Sequence, residues 1–273
     1  MDVFYFGDDS RRMFGALSRP SRAAHTGLVI CPPFGDEMVC TYARFARWAK
    51  ELTEAGFAVL RYHAYGTGES DGSGAEFSPE GASNDARTAL RRLREHVEVE
   101  QAGFFGLRFG ASVAVLAASS ARPDFAVLWS PIINLQQYFR ELLRLRLTKE
   151  LVHQQAAHVK ITAKDMIGEL EAGRSIDLLG YEVSPDLYRQ MSVRASWPEQ
   201  PPAANVLWVA RPPEESRAVA VAETWRGRGS QVDLRFLPEP VFWEDFSSAL
   251  PHQFMDVSFR WMTQRVRTGQ GIR

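Results

Sequence analysis

Short apolar runs alternate along the chain with longer amphipathic segments. VFYF (3–6) and MFGALS (13–18) predict an opening β-hairpin, and GLVIC (27–31) a buried strand that ends at Pro32-Pro33. Apolar residues at helical spacing over 42–57 predict a helix that stops at Gly56. The strand FAVLRY (57–62) and a glycine-rich loop, HAYGTGESDGSG (63–74), follow. Ser78 as N-cap with Pro79 in the first turn starts a second helix. GFFGL (103–107) leads directly into the helix GASVAVLAASSA (110–121), and FAVLWS (125–130) is the next strand. From Pro131 to about Pro202 no β-like run is expected; helical stretches and a GYEVSP turn (180–185) fill the interval. Crossovers are usually much shorter, so this interval reads as an insertion. NVLWVA (205–210), a helix over about 214–226, VDLRFL (232–237) and a helix after Pro251 complete the pattern. The order predicts an α/β fold with a mostly parallel twisted sheet flanked by helices. Residues 1–130 and 203–273 form its core and 131–202 a helical insertion.

Composition narrows the function. The chain has 273 residues, 45% hydrophobic and 24% charged, with a formal net charge of -1. A near-neutral balance supplies no long-range attraction to nucleic acid or an anionic membrane. The basic stretches RRLRE (91–95) and RELLRLRL (140–147) have helical spacing and read as solvated helix faces. No run of 18 apolar residues and no signal-peptide pattern occurs, so a cytoplasmic protein is expected, neither membrane-bound nor nucleic-acid-bound. Two cysteines, Cys31 and Cys40, are too few for a disulfide framework, and the six histidines are scattered, so neither metal nor cofactor is expected. An apolar stripe over 131–202 is compatible with a homodimer without requiring one.

The stretch FFGLRFGAS (104–112) carries the chemistry. Gly106 and Gly110 bracket three residues between a strand and a helix, with Arg108 at the centre. This frame, together with CPPFGDE (31–37) and RYHAYGTGESDG (61–72), resembles the α/β-hydrolase superfamily, and within it the serine-aminopeptidase-like members. CPPFGDE, GLRFGA, GYEVSP and PVFW further resemble segments of hydrolase-like proteins found beside exosortase and biosynthetic gene clusters, much of which carry arginine at the elbow. The resemblance spans nearly the whole chain. It implies an α/β-hydrolase fold whose 131–202 insertion is a helical cap after the strand that follows the nucleophile elbow.

The positions that the resemblance marks as catalytic are altered. Arg108 replaces the nucleophilic serine, and a guanidinium, permanently protonated, has no lone pair with which to attack. Either it forms an internal salt bridge, with Asp36 or Glu37 as candidates, or it binds a ligand anion. Cys31 is the most able substitute nucleophile, or else a buried small hydrophobe. Ser112, Ser130 and Ser70 read as structural. The window PEPVFWEDFSSALP (238–251), where the base histidine is expected, holds none; His252 follows it as a candidate site residue, and Trp243 inside it is a candidate ligand contact. His63 stands where the 61–72 loop usually has aspartate, and is either a ligand contact or a structural residue. Glu214 in RPPEES is the candidate acid, or an ordinary helix N-terminal carboxylate.

Phe34 and Gly35 offer backbone N–H groups as an oxyanion loop, with Phe109 after the elbow. Tyr138 and Tyr181 are candidate ligand contacts from the insertion, where Leu135, Phe139, Leu142, Leu187, Tyr188, Met191 and Trp197 also supply apolar groups for a pocket or for a local core. Three activities fit. One is atypical hydrolysis of an acyl ester or thioester of a small molecule; another is non-catalytic binding of an acyl or anionic ligand or a carrier protein. The third is lyase, isomerase or acyl-transfer chemistry. The fold alone does not choose between them.

Overall fold

A computed structural model describes residues 1–153, 161–193, 199–246 and 249–266. The N-terminal hairpin forms as β1 (Asp2–Asp8) and β2 (Arg11–Ser18), paired antiparallel. β3 (Thr26–Cys31), β4 (Phe57–Tyr62), β5 (Gln101–Leu107) and β6 (Phe125–Trp129) continue the sheet. Two further strands of that sheet lie beyond residue 202, Asn205–Ala210 and Gln231–Phe236. Its order is β1-β2-β4-β3-β5-β6, then these two in turn, antiparallel only where β2 meets its neighbours. Strands β3, β5 and β6 have no exposed residue, as a parallel sheet covered on both faces requires.

The helices divide between the faces. On one lie α1 (Asp36–Glu54) and the closing helix His252–Trp261, around Trp48, Phe105, Trp129 and Phe254. The Trp129 and Trp48 ring centroids lie 4.9 Å apart, and Trp129 Nε1 donates to Ser258 Oγ at 2.8 Å, so this buried ring has its one polar atom satisfied. On the other lie α2 (Pro79–His96), α3 (Phe109–Ala121) and the helix Glu215–Gly227. Ser78 caps α2 as expected, accepting from Gly81 N. A buried carboxylate, Asp85 of α2, accepts from Arg11 Nε at 2.7 Å and from Tyr65 N at 2.9 Å, fixing the start of the glycine-rich loop to β2.

Between β6 and Asn205 the chain forms α4 (Leu135–His153), α5 (Ala163–Glu171) and α6 (Pro185–Val193). One expectation is corrected here. The GYEVSP segment is not merely a turn but half of a hairpin, β7 (Ile176–Leu178) with β8 (Tyr181–Val183). Its two-residue turn, Leu179-Gly180, has both residues at positive φ (60° and 88°), the twist that suits a tight hairpin. Leucine is a rare choice there, so the sequence carries no turn signal. The sheet then resumes with β9 (Asn205–Ala210), α7 (Glu215–Gly227), β10 (Gln231–Phe236) and α8 (His252–Trp261). Leu135, Phe139, Leu187 and Met191 join the same buried cluster as the sheet, while Trp197 lies outside the described residues. Among the described residues no helix is long and apolar enough to cross a membrane.

Candidate functional site

The elbow between β5 and α3 is built by two glycines. A Cβ on Gly110 would lie 2.3 Å from Cys31 O, and one on Gly106 would lie 2.4 Å from Ala111 N. The close approach of β3, β5 and α3 therefore excludes any side chain at either position. Arg108 between them has φ 53° and ψ -119°, a strained left-handed conformation for a residue with a Cβ. Its amide donates to Trp129 O at 2.9 Å, and its carbonyl accepts from Ala111 N and Ser112 N. The turn thus projects residue 108 from the carboxyl end of the sheet at the N-terminus of α3.

The side chain there is held on several sides. Arg108 Nε donates to Glu37 Oε1 at 3.2 Å, so the internal ion pair is with Glu37. The guanidinium carbon sits 5.6 Å from the Tyr138 ring and 5.2 Å from the Trp243 ring. Burial opposes its charge, but Glu37, Tyr138 and Glu214 together hold it charged. Among the described residues Nε alone of its nitrogens has a hydrogen-bond acceptor.

Glu37 is the most perturbed acid. Burial pushes its carboxyl up to about 7, against the opposing pull of Arg108. Tyr138 also lowers it, although no well-aligned hydrogen bond joins the two; Glu37 Oε2 and Tyr138 Oη are both buried without a partner. Glu214 follows β9, and burial raises its pKa while Arg108 and the Ser130 hydroxyl lower it. Ser130, fully buried at φ 40°, was legible only as a strand-end residue; its role beside Glu214 depends on that backbone conformation.

A cleft of about 460 Å³ opens over this group. Phe34, Gly35, Glu37, Arg108, Tyr138, Tyr181 and Trp243 line it, as do Leu142, Leu179, Glu141, Arg144, Glu244 and Phe246. Arg144 belongs to the basic stretch read as a solvated face; α4 turns it toward the cleft. A second chamber of about 310 Å³ shares Phe34, Gly35 and Tyr181 with the first and reaches Phe77, Phe109 and Val113. Phe34 stacks on Phe77 at 5.2 Å and meets Phe109 and Tyr181 at 5.9 Å.

Other candidates lie elsewhere. Cys31 is fully buried and its thiol is pushed up to about 12 by burial, so the structure corrects its assignment as a substitute nucleophile. His63 accepts from Glu69 N at 2.9 Å, packs on Phe14 and Tyr42, and has its pKa lowered by burial; it lines neither chamber. His252 is the exposed first residue of α8; it lies near Glu239, whose pKa burial raises and His252 lowers, and it lines neither chamber. Ser112 donates to Ile132 O at 2.7 Å and Ser70 to His63 O at 2.7 Å, both structural.

Residues 29–197 match the sequence profile of a family described as serine aminopeptidase, S33. No protein of curated function matches the chain in sequence. Solved structures share its fold over nearly their whole length. DcsB, solved in complex with its substrate analogue, is 16% identical with a TM-score of 0.64, covering 96% of this chain and 99% of its own. Est1E from Butyrivibrio proteoclasticus, with ferulic acid bound, is 14% identical with a TM-score of 0.64, covering 97% and 99%. The α/β hydrolase GrgF from Penicillium sp. sh18 is 16% identical with a TM-score of 0.63, covering 97% and 99%.

Proposed function

The chain belongs to the serine aminopeptidase family S33, and from that premise we propose that it binds the carboxylate of a small acyl ligand at Arg108 instead of attacking an acyl carbon with a serine. One observation carries this reading. Arg108 stands at the elbow, on the wall of a cleft of about 460 Å³, with Nε engaged by Glu37 and its two terminal nitrogens without a protein acceptor among the described residues. A guanidinium fork of this kind matches a carboxylate. The helix N-termini of α1 and α3 meet at the same place, and the first N–H groups of a helix have no intrahelical acceptor.

A second reading, hydrolysis by activated water, is favoured by Glu37. Its pKa of about 7 suits a general base near neutrality, and Oε2 has no protein partner. Glu37 would take a proton from water as the oxygen adds to the acyl carbon. It would return that proton to the alkoxide or thiolate as the tetrahedral intermediate collapses.

Calorimetric titration of 3-phenylpropionate into the wild type and Arg108→Gln tests the first reading. Binding that weakens at least about tenfold in the variant supports it; equal binding in both overturns it. Turnover of p-nitrophenyl esters that disappears in Glu37→Gln supports the second.

A further inference from the structure

The two chambers differ in chemistry and share a wall. The cleft at Arg108 carries the charges, with Asp36, Glu37, Glu141 and Glu244 around its two arginines, among apolar groups such as Leu142, Leu179, Trp243 and Phe246. The second chamber is nearly uncharged, lined by Phe34, Phe77, Phe109, Tyr62 and Val113, with Glu182 its one charged lining residue among the described residues. Phe34, Gly35 and Tyr181 belong to both. At Gly35 an added Cβ would touch the Tyr181 ring edge at 3.7 Å, an ordinary van der Waals contact, so the Tyr181 ring covers this glycine where the chambers adjoin. Burying a phenyl-sized arm in the second chamber removes apolar area from water and is expected to tighten binding at least about tenfold.

The charges restrict the other end of the ligand. Arg108 shares its charge with Glu37 and Glu214, and Asp36, Glu141 and Glu244 add negative potential around the cleft. One carboxylate finds a guanidinium fork there. A phosphate dianion finds the same fork among repelling carboxylates, with Arg144 as the only other lining cation among the described residues.

Resting on the carboxylate-binding reading above, we propose that the two chambers form one bipartite site for an amphipathic monocarboxylic acid, its carboxylate at Arg108 and its aryl or short acyl arm passing Tyr181 into the Phe34–Phe77–Phe109 chamber. Tyr181, on the β7–β8 hairpin, is then a specificity-determining residue at the passage between them.

The test is calorimetry on the wild type with acetate, 3-phenylpropionate and phenyl phosphate, repeated on Thr67→Trp and Met38→Trp. Both substitutions fill the second chamber from half-buried lining positions, one from the glycine-rich loop and one from α1. The wild type is expected to bind 3-phenylpropionate at least about tenfold more tightly than acetate and phenyl phosphate. Both variants are expected to lose that preference while binding acetate as the wild type does. Equal affinities for the two carboxylates in the wild type overturn the bipartite site but leave carboxylate binding at Arg108 standing. A tighter phenyl phosphate complex overturns the charge argument and, with it, the monocarboxylate assignment. Absence of binding by either carboxylate overturns the underlying reading and this one together.

Discussion

At Arg108 a strained backbone and a permanent cation coincide. The turn costs on the order of 1–3 kcal/mol, and the guanidinium is held by Glu37 and flanked by two aromatic rings. Glu37 sets the pH behaviour of this group. Its folded pKa, about 7, is raised above the unfolded carboxylate value. Its stabilising contribution is therefore complete below the unfolded value and is lost as pH rises through about 7, by up to about 3 kcal/mol. Urea denaturation between pH 5 and 8 is expected to show this loss in the wild type and a flatter profile in Glu37→Gln. A ligand carboxylate on the Arg108 terminal nitrogens places a second negative charge near Glu37 and raises its pKa further, so binding takes up a proton. Affinity is expected to fall as pH rises through neutrality, and calorimetry in buffers of different ionisation enthalpy detects the proton. Cys31, buried with its thiol near 12, is expected to stay unreactive toward a disulfide reagent at pH 8 until the protein unfolds.

The elements were legible where periodicity and punctuation agree. Buried strands such as GLVIC and FAVLW are continuous apolar runs, and Ser78-Pro79 is a strong helix start, so β3, β6 and α2 follow from the sequence. The β7–β8 hairpin was not legible, because strands of three residues show no alternation and Leu179 at φ 60° is not a turn residue. Leu179 also lines the cleft, so an apolar side chain is kept at a conformational cost. Leu179→Asn is expected to raise thermal stability by about 0.5–1 kcal/mol and shows as a higher Tm. The elbow glycines behave oppositely. Gly110→Ala would drive a methyl group against the Cys31 carbonyl, and a loss of about 2–3 kcal/mol or more is expected in the same melt.

Across the molecule, the sequence located the elbow, the altered residue 108 and the absence of histidine from 238–251, because each is a local fact. It left the company of Arg108 open, because Glu37, Tyr138, Glu214 and Trp243 come from four separate parts of the chain and meet only when the sheet closes. Glu141, Arg144 and Glu244 line the cleft for the same reason, although their sequence context marks only solvated positions. With no histidine or activated serine beside the elbow among the described residues, a fluorophosphonate probe is expected to leave the wild type unlabelled, and Arg108→Ser likewise, by intact-mass spectrometry. The most direct test of Arg108 as a binding group is a crystal structure of the protein with 3-phenylpropionate. The expected map places the ligand carboxylate within about 3 Å of the Arg108 terminal nitrogens. A ligand bound elsewhere, with the Arg108 terminal nitrogens turned onto protein carboxylates, would contradict it.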